Sequence, residues 1–226
     1  MRKVILQRTA GPSPEVLEGF RALLKIYSPS CVVADAQQRA GVMRSDLRPL
    51  VLETRFAGPA LTVRMEPGNQ VDCLDALAVA QAGDVIVVDA AGETETSIWG
   101  GLMAGLSQMK GVVGAVVDGA IRDTDEIRDL GFFIFSKAIV PRSTHSPFSG
   151  RMEPLEVNVP IQCGGVLVRP GDLVIGDEVG VTVVPLEQAV EVLAAAQAQA
   201  EKEEQTRARI REGKSVEELL AEFGRL

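Results

Sequence analysis

The sequence predicts a mixed α/β fold of one domain, built in layers and followed by a C-terminal helical extension. Three observations carry this. β-Branched runs alternate with helical spacings as far as residue 140, short strands then follow one another between Pro and Gly, and the C-terminal segment turns helical and loses its apolar face. An α/β half followed by a β-rich half calls for mixed layers rather than an all-parallel doubly wound sheet. Length agrees, since 226 residues are ample for one buried core and short for two. The main domain is assigned to residues 1–212 and a terminal short helix to 213–226. Only 4% of residues are aromatic against 46% hydrophobic, so the core must be aliphatic.

The elements follow in order. Val16, Phe20, Leu23, Leu24 and Tyr27 recur at helical spacing behind Ser13-Pro14, an N-cap and a first-turn proline, which predicts a helix over 14–27. Ser28-Pro29-Ser30 stops it. Residues 31–36 read as a brief strand or helix entry, and 39–55 as loop-rich. Residues 58–64 read as a strand, 73–82 as an alanine-rich helix and 83–90 as a buried strand followed by a loop. Gly100 and Gly101 open a helix over 102–110. Residues 111–117 form a β-branched run bounded by glycine, a strand buried on both faces that Asp118-Gly119 breaks. A short helix then begins over Asp123-Thr124-Asp125-Glu126 and ends near Gly131. Further strands are expected at 155–159, 165–168, 172–176 and 181–184. Residues 186–212 read as one helix whose first half carries Leu186, Val190, Leu193 and Ala194 on a stripe. From Gln197 only Ile210 is large and apolar, leaving that half little to bury against its own domain. Gly213 ends it, and Ser215-Val216-Glu217-Glu218 is a capping box for a last helix through Phe223.

Composition narrows the chemistry. A net charge of −8 disfavours nucleic-acid backbones and anionic membrane surfaces as direct partners. No apolar run approaches the roughly 20 residues of a membrane span, and the apolar centre of residues 1–8 is too short for a signal peptide, so a cytoplasmic location is expected. Cys31, Cys73 and Cys163 are odd in number, widely spaced and set among apolar neighbours, which makes each a small buried hydrophobe. His145 is the single histidine. A histidine-rich zinc site within one subunit is therefore excluded, and no Gly-x-Ser-x-Gly elbow supports a serine triad. Carboxylates remain as the abundant ligands, and oxygen-only donors favour Mg²⁺, with Mn²⁺ as the alternative.

Two segments carry the candidate site. Arg122 and Asp123 follow a strand's carboxyl end, where open α/β sheets bind ligands. Gly100 and Gly101 start a helix whose first amides, through Leu102 and Met103, are free to face an anion. Each has a plainer reading: Asp123 as a helix N-cap, the glycines as a site of tight packing, and Trp99 as their packing neighbour. Asp177 reads as structural.

Gly101, twenty further residues, Arg122-Asp123, two more and Glu126 resemble the motif of the 4-hydroxy-4-methyl-2-oxoglutarate aldolases and their relatives, the regulators of ribonuclease E activity. The resemblance extends through residues 56–63, 83–89, 135–138 and 171–185 and covers roughly residues 28–212. It implies a swivelling β/β/α fold assembled as a ring-shaped homotrimer or homohexamer. It also implies a divalent-metal-dependent lyase acting on a small 2-oxo dicarboxylic acid, by retro-aldol cleavage of 4-hydroxy-4-methyl-2-oxoglutarate or decarboxylation of oxaloacetate to pyruvate.

By the same resemblance Asp123 holds the cation, mainly through water, Arg122 contacts the keto acid, and the amides of Gly100, Gly101, Leu102 and Met103 bind its carboxylate. A neighbouring subunit supplies a glutamate, for which Glu201, Glu203 and Glu204 are candidates and Glu203, four residues before Arg207, fits best. The plainer reading leaves all three solvated. His145 is a loop residue near the site. In the aldolases the position of Gly101 is often acidic and handles a proton. That carboxylate is missing here, with Glu93 and Glu95 as candidate replacements. Retro-aldol cleavage needs a base for the C4 alcohol and decarboxylation does not, so the change favours decarboxylation. The other branch of the resemblance implies a non-catalytic acidic regulator that binds and inhibits a ribonuclease. Asp123 and Glu126 together argue for a working metal site.

Overall fold

The computed structural model describes residues 4–8, 11–65, 73–144 and 155–224. Its β-branched runs pair in a nine-stranded sheet. Strands β3 (Arg55–Met65), β4 (Val85–Trp99), β5 (Gly114–Ile121) and β6 (Ile134–Ile139) run parallel at the centre. β1 (Val4–Ile5) and β7 (Leu155–Val157) extend one edge and β2 (Arg48–Pro49) the other, giving the order β1-β7-β3-β4-β5-β6-β2. The first half of β3, from Arg55 to Pro59, pairs instead with β10 (Leu173–Asp177), which pairs with β11 (Val181–Val184). β3 thus belongs to two layers. A hairpin of β8 (Ile161–Cys163) and β9 (Val166–Val168) forms a separate small sheet.

Side-chain alternation along the strands sets the layers. Leu61, Val63, Ile86, Val88, Ala115 and Val117 share a core with Met103 and Ala104 of α3 (Gly101–Met109) and Ile127 of α4 (Thr124–Asp129). Ala60, Val85, Val87 and Val116, one residue out of phase, meet Ile161, Val168, Val174 and Val183 of the second β layer. The outer face of that layer, Leu173, Ile175 and Val184, is covered by α1 (Pro14–Leu23), α2 (Pro29–Ala36) and α5 (Ala189–Arg211), through Phe20, Val33, Val192 and Ala196. The expected β/β/α layering holds, with this further helical layer outside it. No helix among the described residues is long and apolar enough to cross a membrane.

The differences from the sequence reading have local causes. Ser13 Oγ accepts from Val16 N at 3.3 Å, but α1 ends at Leu23 because Leu24, Lys25 and Ile26 bond three residues back and tighten the last turn. Pro29, which stops α1, is also the first residue of α2, so residues 31–36 are helix. Cys31 falls on the outward side of α2 and is exposed, while Cys73 and Cys163 are buried. The helix expected at 73–82 shrinks to a 3₁₀ segment, Cys73–Ala78, and Asp84 turns the chain by accepting from Gln81 N at 2.9 Å.

β4 does not end at Ala90. Ala91 and Gly92, at φ 52° and 76°, form a bulge over which pairing slips from Asp89↔Asp118 to Glu93↔Gly119, and the strand resumes to Trp99. Asp118-Gly119 does not break β5 either. A Cβ at Gly119 would lie 3.1 Å from the Glu93 carbonyl, so the glycine lets the bulged neighbour pass. Asp118 accepts from Gly164 N at 2.7 Å and pairs with Lys137 Nζ at 2.5 Å.

The polar half of α5 does find partners in its own chain. The Arg207 guanidinium lies 5.2 Å from the Tyr27 ring centroid, Thr206 is buried, and α6 (Val216–Phe223) packs back with Leu219 buried. The capping box at Ser215 and Glu218 is formed in both directions.

Candidate active site

β4 ends at Trp99, and Gly100 in extended conformation starts α3 with no side-chain cap, leaving its first amides without a side-chain acceptor of that kind. β5 ends beside it. Arg122 N donates to Trp99 O at 2.9 Å, which fixes the turn carrying Arg122 and Asp123 against the start of α3. Asp123 precedes α4 at φ 52°, ψ 44°, in the left-handed region, and makes no side-chain bond to that helix. The reading of Asp123 as an ordinary N-cap therefore fails. Its Oδ2 instead accepts from Gly101 N at 3.3 Å and lies 3.5 Å from Arg122 Nε. A left-handed aspartate costs on the order of 1 kcal/mol and forgoes a cap of similar worth, a combination typical of a functional turn.

The glycines are required by this approach. A Cβ at Gly100 would lie 2.5 Å from Asp123 Oδ2, and one at Gly101 would overlap the Glu126 carboxylate. A carboxylate therefore does occupy the region of position 101, delivered from α4 rather than from α3. The sequence reading missed this role for Glu126. The signal was the acid three residues beyond Arg-Asp, whose reach across to α3 no spacing discloses.

A cavity of about 280 Å³ opens here, lined by Gly100, Leu102, Met103, Arg122 and Asp123 among others. Gly101 is buried behind it and its amide already points at Asp123, so among the described residues the amides of Leu102 and Met103 are the ones at this helix start left to face an anion. The opposite wall comes from Ser97, Ser143 and Thr144, held there because Ser97 N and Oγ both donate to Arg142 O, at 2.8 and 2.7 Å. His145 lies outside the described residues. Trp99, the chain's single tryptophan, lines the cavity and stacks on Phe132 at 6.1 Å.

Several candidates are not brought to this cavity within one chain. Glu93 accepts from Glu95 N at 2.6 Å, closing its own bulge, and neither residue lines the cavity. Glu203 pairs with Arg207 and accepts from Gln199 at 3.1 Å on α5. Asp177 is structural, accepting from Ser30 N and Oγ, both at 2.8 Å.

Among the described residues no group of three or more His, Cys, Asp or Glu side chains is arranged as a metal cluster. A cation at Asp123 would be held by one or two carboxylates and otherwise by water, a donor set that suits Mg²⁺. Arg122 and Asp123 are each about 40% exposed, so their pairing is solvent-screened and leaves both open to a ligand.

A mixed sheet with a glycine-opened helix facing an Arg-Asp turn defines an α/β protein with a polar cavity at a strand's carboxyl end. The family model for RraA-like proteins, aldolase/RraA, matches residues 30–183, and the chain belongs to this family. A Halalkalibacterium halodurans protein, provisionally named a 4-hydroxy-4-methyl-2-oxoglutarate aldolase, is 39% identical over 169 residues, which is 75% of this chain and 78% of that one. A Thermus thermophilus 4-hydroxy-4-methyl-2-oxoglutarate aldolase is 36% identical over 58% of this chain and 76% of its own. Among solved structures, a Streptomyces coelicolor protein described as an unusual member of the RNase ES inhibitor RraA family superposes with a TM-score of 0.74. It is 31% identical and covers 88% of this chain and 98% of its own.

Proposed function

We propose that the protein is a lyase that breaks the C3–C4 bond of a small 2-oxo acid, such as 4-hydroxy-4-methyl-2-oxoglutarate or oxaloacetate, and releases pyruvate. The observation that carries this is the Asp123 carboxylate, turned from its own helix toward Arg122 and the start of α3. The aldolase names of the relatives support it.

The chain's own residues divide the work. The amides of Leu102 and Met103, at an uncapped helix start, bind the C1 carboxylate, and Arg122 reaches the same carboxylate and the C2 oxygen. A divalent cation, Mg²⁺ or Mn²⁺, held by Asp123 and water, would polarise the 2-oxo group. When the C3–C4 bond breaks, its electron pair passes to C3 and onto the C2 oxygen, where Arg122 stabilises the charge. In the aldol substrate a base must take the C4 hydroxyl proton as C4 becomes a carbonyl, and Glu126, whose carboxylate lies against Gly101 just behind the cavity lining, would take it through an intervening water. In oxaloacetate C4 leaves as CO₂ and no alcohol proton moves. Protonation at C3 completes pyruvate. Homotrimeric or homohexameric assembly, with Glu203 reaching a neighbour's site, belongs to the same proposal.

A second reading, a regulator whose acidic surface holds a ribonuclease, is favoured by the Streptomyces relative. Pyruvate release from both substrates, with and without Mg²⁺ and chelator, separates the two. Metal-dependent release that Asp123→Asn abolishes is the expected result; release unaffected by Asp123→Asn and Arg122→Ala would overturn the lyase assignment.

A further inference from the structure

We propose that a separate cavity, at the β6 edge of the sheet, binds a small phosphomonoester. It measures about 400 Å³, is lined by Arg48, Leu50, Arg128, Ser136, Lys137 and Ile139 among others, and shares none of its described lining residues with the cavity at Asp123. β2 closes this edge with two residues, and Arg48 stands opposite Ser136 in its pairing with β6. Residues so opposed project from one face, about 5 Å apart at Cβ. Ser136 is in phase with Ile134, which shares a core with Ile127 of α4, and Arg128 is the next residue of that helix. Two arginines therefore reach the cavity from two different elements, a strand edge and a helix.

The polar groups here are those of an anion site. Arg48 and Arg128 are exposed and pair with no acid among the described residues. Lys137 beside them holds Asp118 at 2.5 Å and Asp46 at 3.7 Å, so the nearby acids are already engaged by a cation. Ser136 is only 7% exposed, yet its hydroxyl makes no hydrogen bond among the described residues and borders the cavity. A buried hydroxyl left so is costly unless a ligand meets it. Two fixed positive charges call for two negative ones, and two guanidinium forks with a hydroxyl offer more donors than one carboxylate can accept. A phosphomonoester puts three acceptor oxygens and both charges on one group. Leu50, Ala138 and Ile139 complete the lining and leave room for a short carbon body.

The test is calorimetric titration of the full chain, without Mg²⁺, using glycerol 3-phosphate as the probe and succinate as a dicarboxylate control. One glycerol 3-phosphate should bind per chain with a Kd of about 1 mM or tighter, and at least about tenfold more tightly than succinate, whose two charges sit on separate groups. Arg48→Ala and Arg128→Ala should each weaken binding at least about tenfold, the worth of a charge-assisted hydrogen bond. Arg122→Ala should leave it unchanged, which separates this cavity from the one at Asp123. Where Arg48→Ala disturbs the short β2, Arg128→Ala on an exposed helix surface decides. Absence of saturable binding in this range overturns the proposal, and so does binding that survives Arg128→Ala or is lost with Arg122→Ala. Succinate bound as tightly as glycerol 3-phosphate overturns the assignment to a phosphate group. The readout is binding without turnover, so each of these outcomes leaves the lyase reading to its own test.

Discussion

Glu126 of α4 holds its carboxylate in the space that a side chain at Gly101 of α3 would fill. On sequence alone, Gly101→Asp promises to restore a base to an aldolase-like site. The structure reverses that expectation: the new side chain would displace Glu126. Backbone strain is not the reason, since Gly101 is not among the glycines at positive φ. Gly101→Asp should therefore lower kcat/KM for the aldol substrate, and so should Gly101→Ala. The double variant Gly101→Asp, Glu126→Gly should recover part of the loss. Because metal and anion contacts cancel in the ratio of aldol to decarboxylase kcat/KM, that ratio is the quantity to follow. A fully active Gly101→Asp single variant would remove Glu126 from the mechanism.

Asp123 gives a second test. Asparagine tolerates the left-handed backbone and no helix cap is lost, so Asp123→Asn should leave urea stability within about 1 kcal/mol of wild type. Metal-dependent turnover should vanish. Quenching or enhancement of Trp99 fluorescence by Mg²⁺ should vanish with it, a readout that needs no catalysis because this single indole lines the cavity. Arg122→Ala should cost about 3 kcal/mol of transition-state stabilisation, on the order of one oxyanion donor. A metal response retained by Asp123→Asn would put the cation elsewhere.

Much of this was legible in the sequence because it is written in local signals. Ser13-Pro14, the box at Ser215 and Glu218, and the β-branched runs around Val87 and Val116 each act over a few residues, and the structure realises them. What was hidden depends on pairing across the chain. Asp118-Gly119 looks like a break until the bulge at Ala91 and Gly92 lies beside it. Ser97 and Ser143 become one wall only because β4 continues past that bulge. The polar face of α5 seemed solvated because its partners, Tyr27 and α6, lie in segments no periodicity connects to it.

Stability should also carry a recognisable pH signature from Asp172. Burial pushes this carboxyl above the usual aspartate range, against the pull of the Arg169 and Leu186 amides that it accepts at 2.7 and 3.0 Å. With the folded value above the unfolded one, the folded state binds more protons in the window between them, so stability falls as pH rises through it. Asp172→Asn removes this group's titration along with one of its two acceptors. Urea unfolding should thus show the wild-type advantage over Asp172→Asn to be largest below the ordinary aspartate value and to shrink toward neutral pH. An advantage that grows with pH would mean a depressed carboxyl and contradict the burial argument.

The proposed assembly makes the last prediction. Leu102, Leu106 and Met109 are 77, 41 and 83% exposed and recur at i, i+4 and i+7, an apolar stripe on α3 running from the mouth of the cavity. In a ring this stripe is a natural seat for a neighbour, and Met109→Glu should shift light scattering toward smaller species with reduced turnover. Whether Glu203 then acts across subunits is settled by complementation. Asp123→Asn protomers, inactive alone, and Glu203→Gln protomers, impaired alone, should regain activity when mixed and reassembled, because some sites then combine an intact Asp123 with an intact Glu203 from the neighbour. Within one chain Glu203 is bonded to Arg207 and Gln199, so a purely local role predicts instead that Glu203→Gln lowers stability without touching kcat. Mixtures that stay as inactive as their parts would confine Glu203 to that local pair.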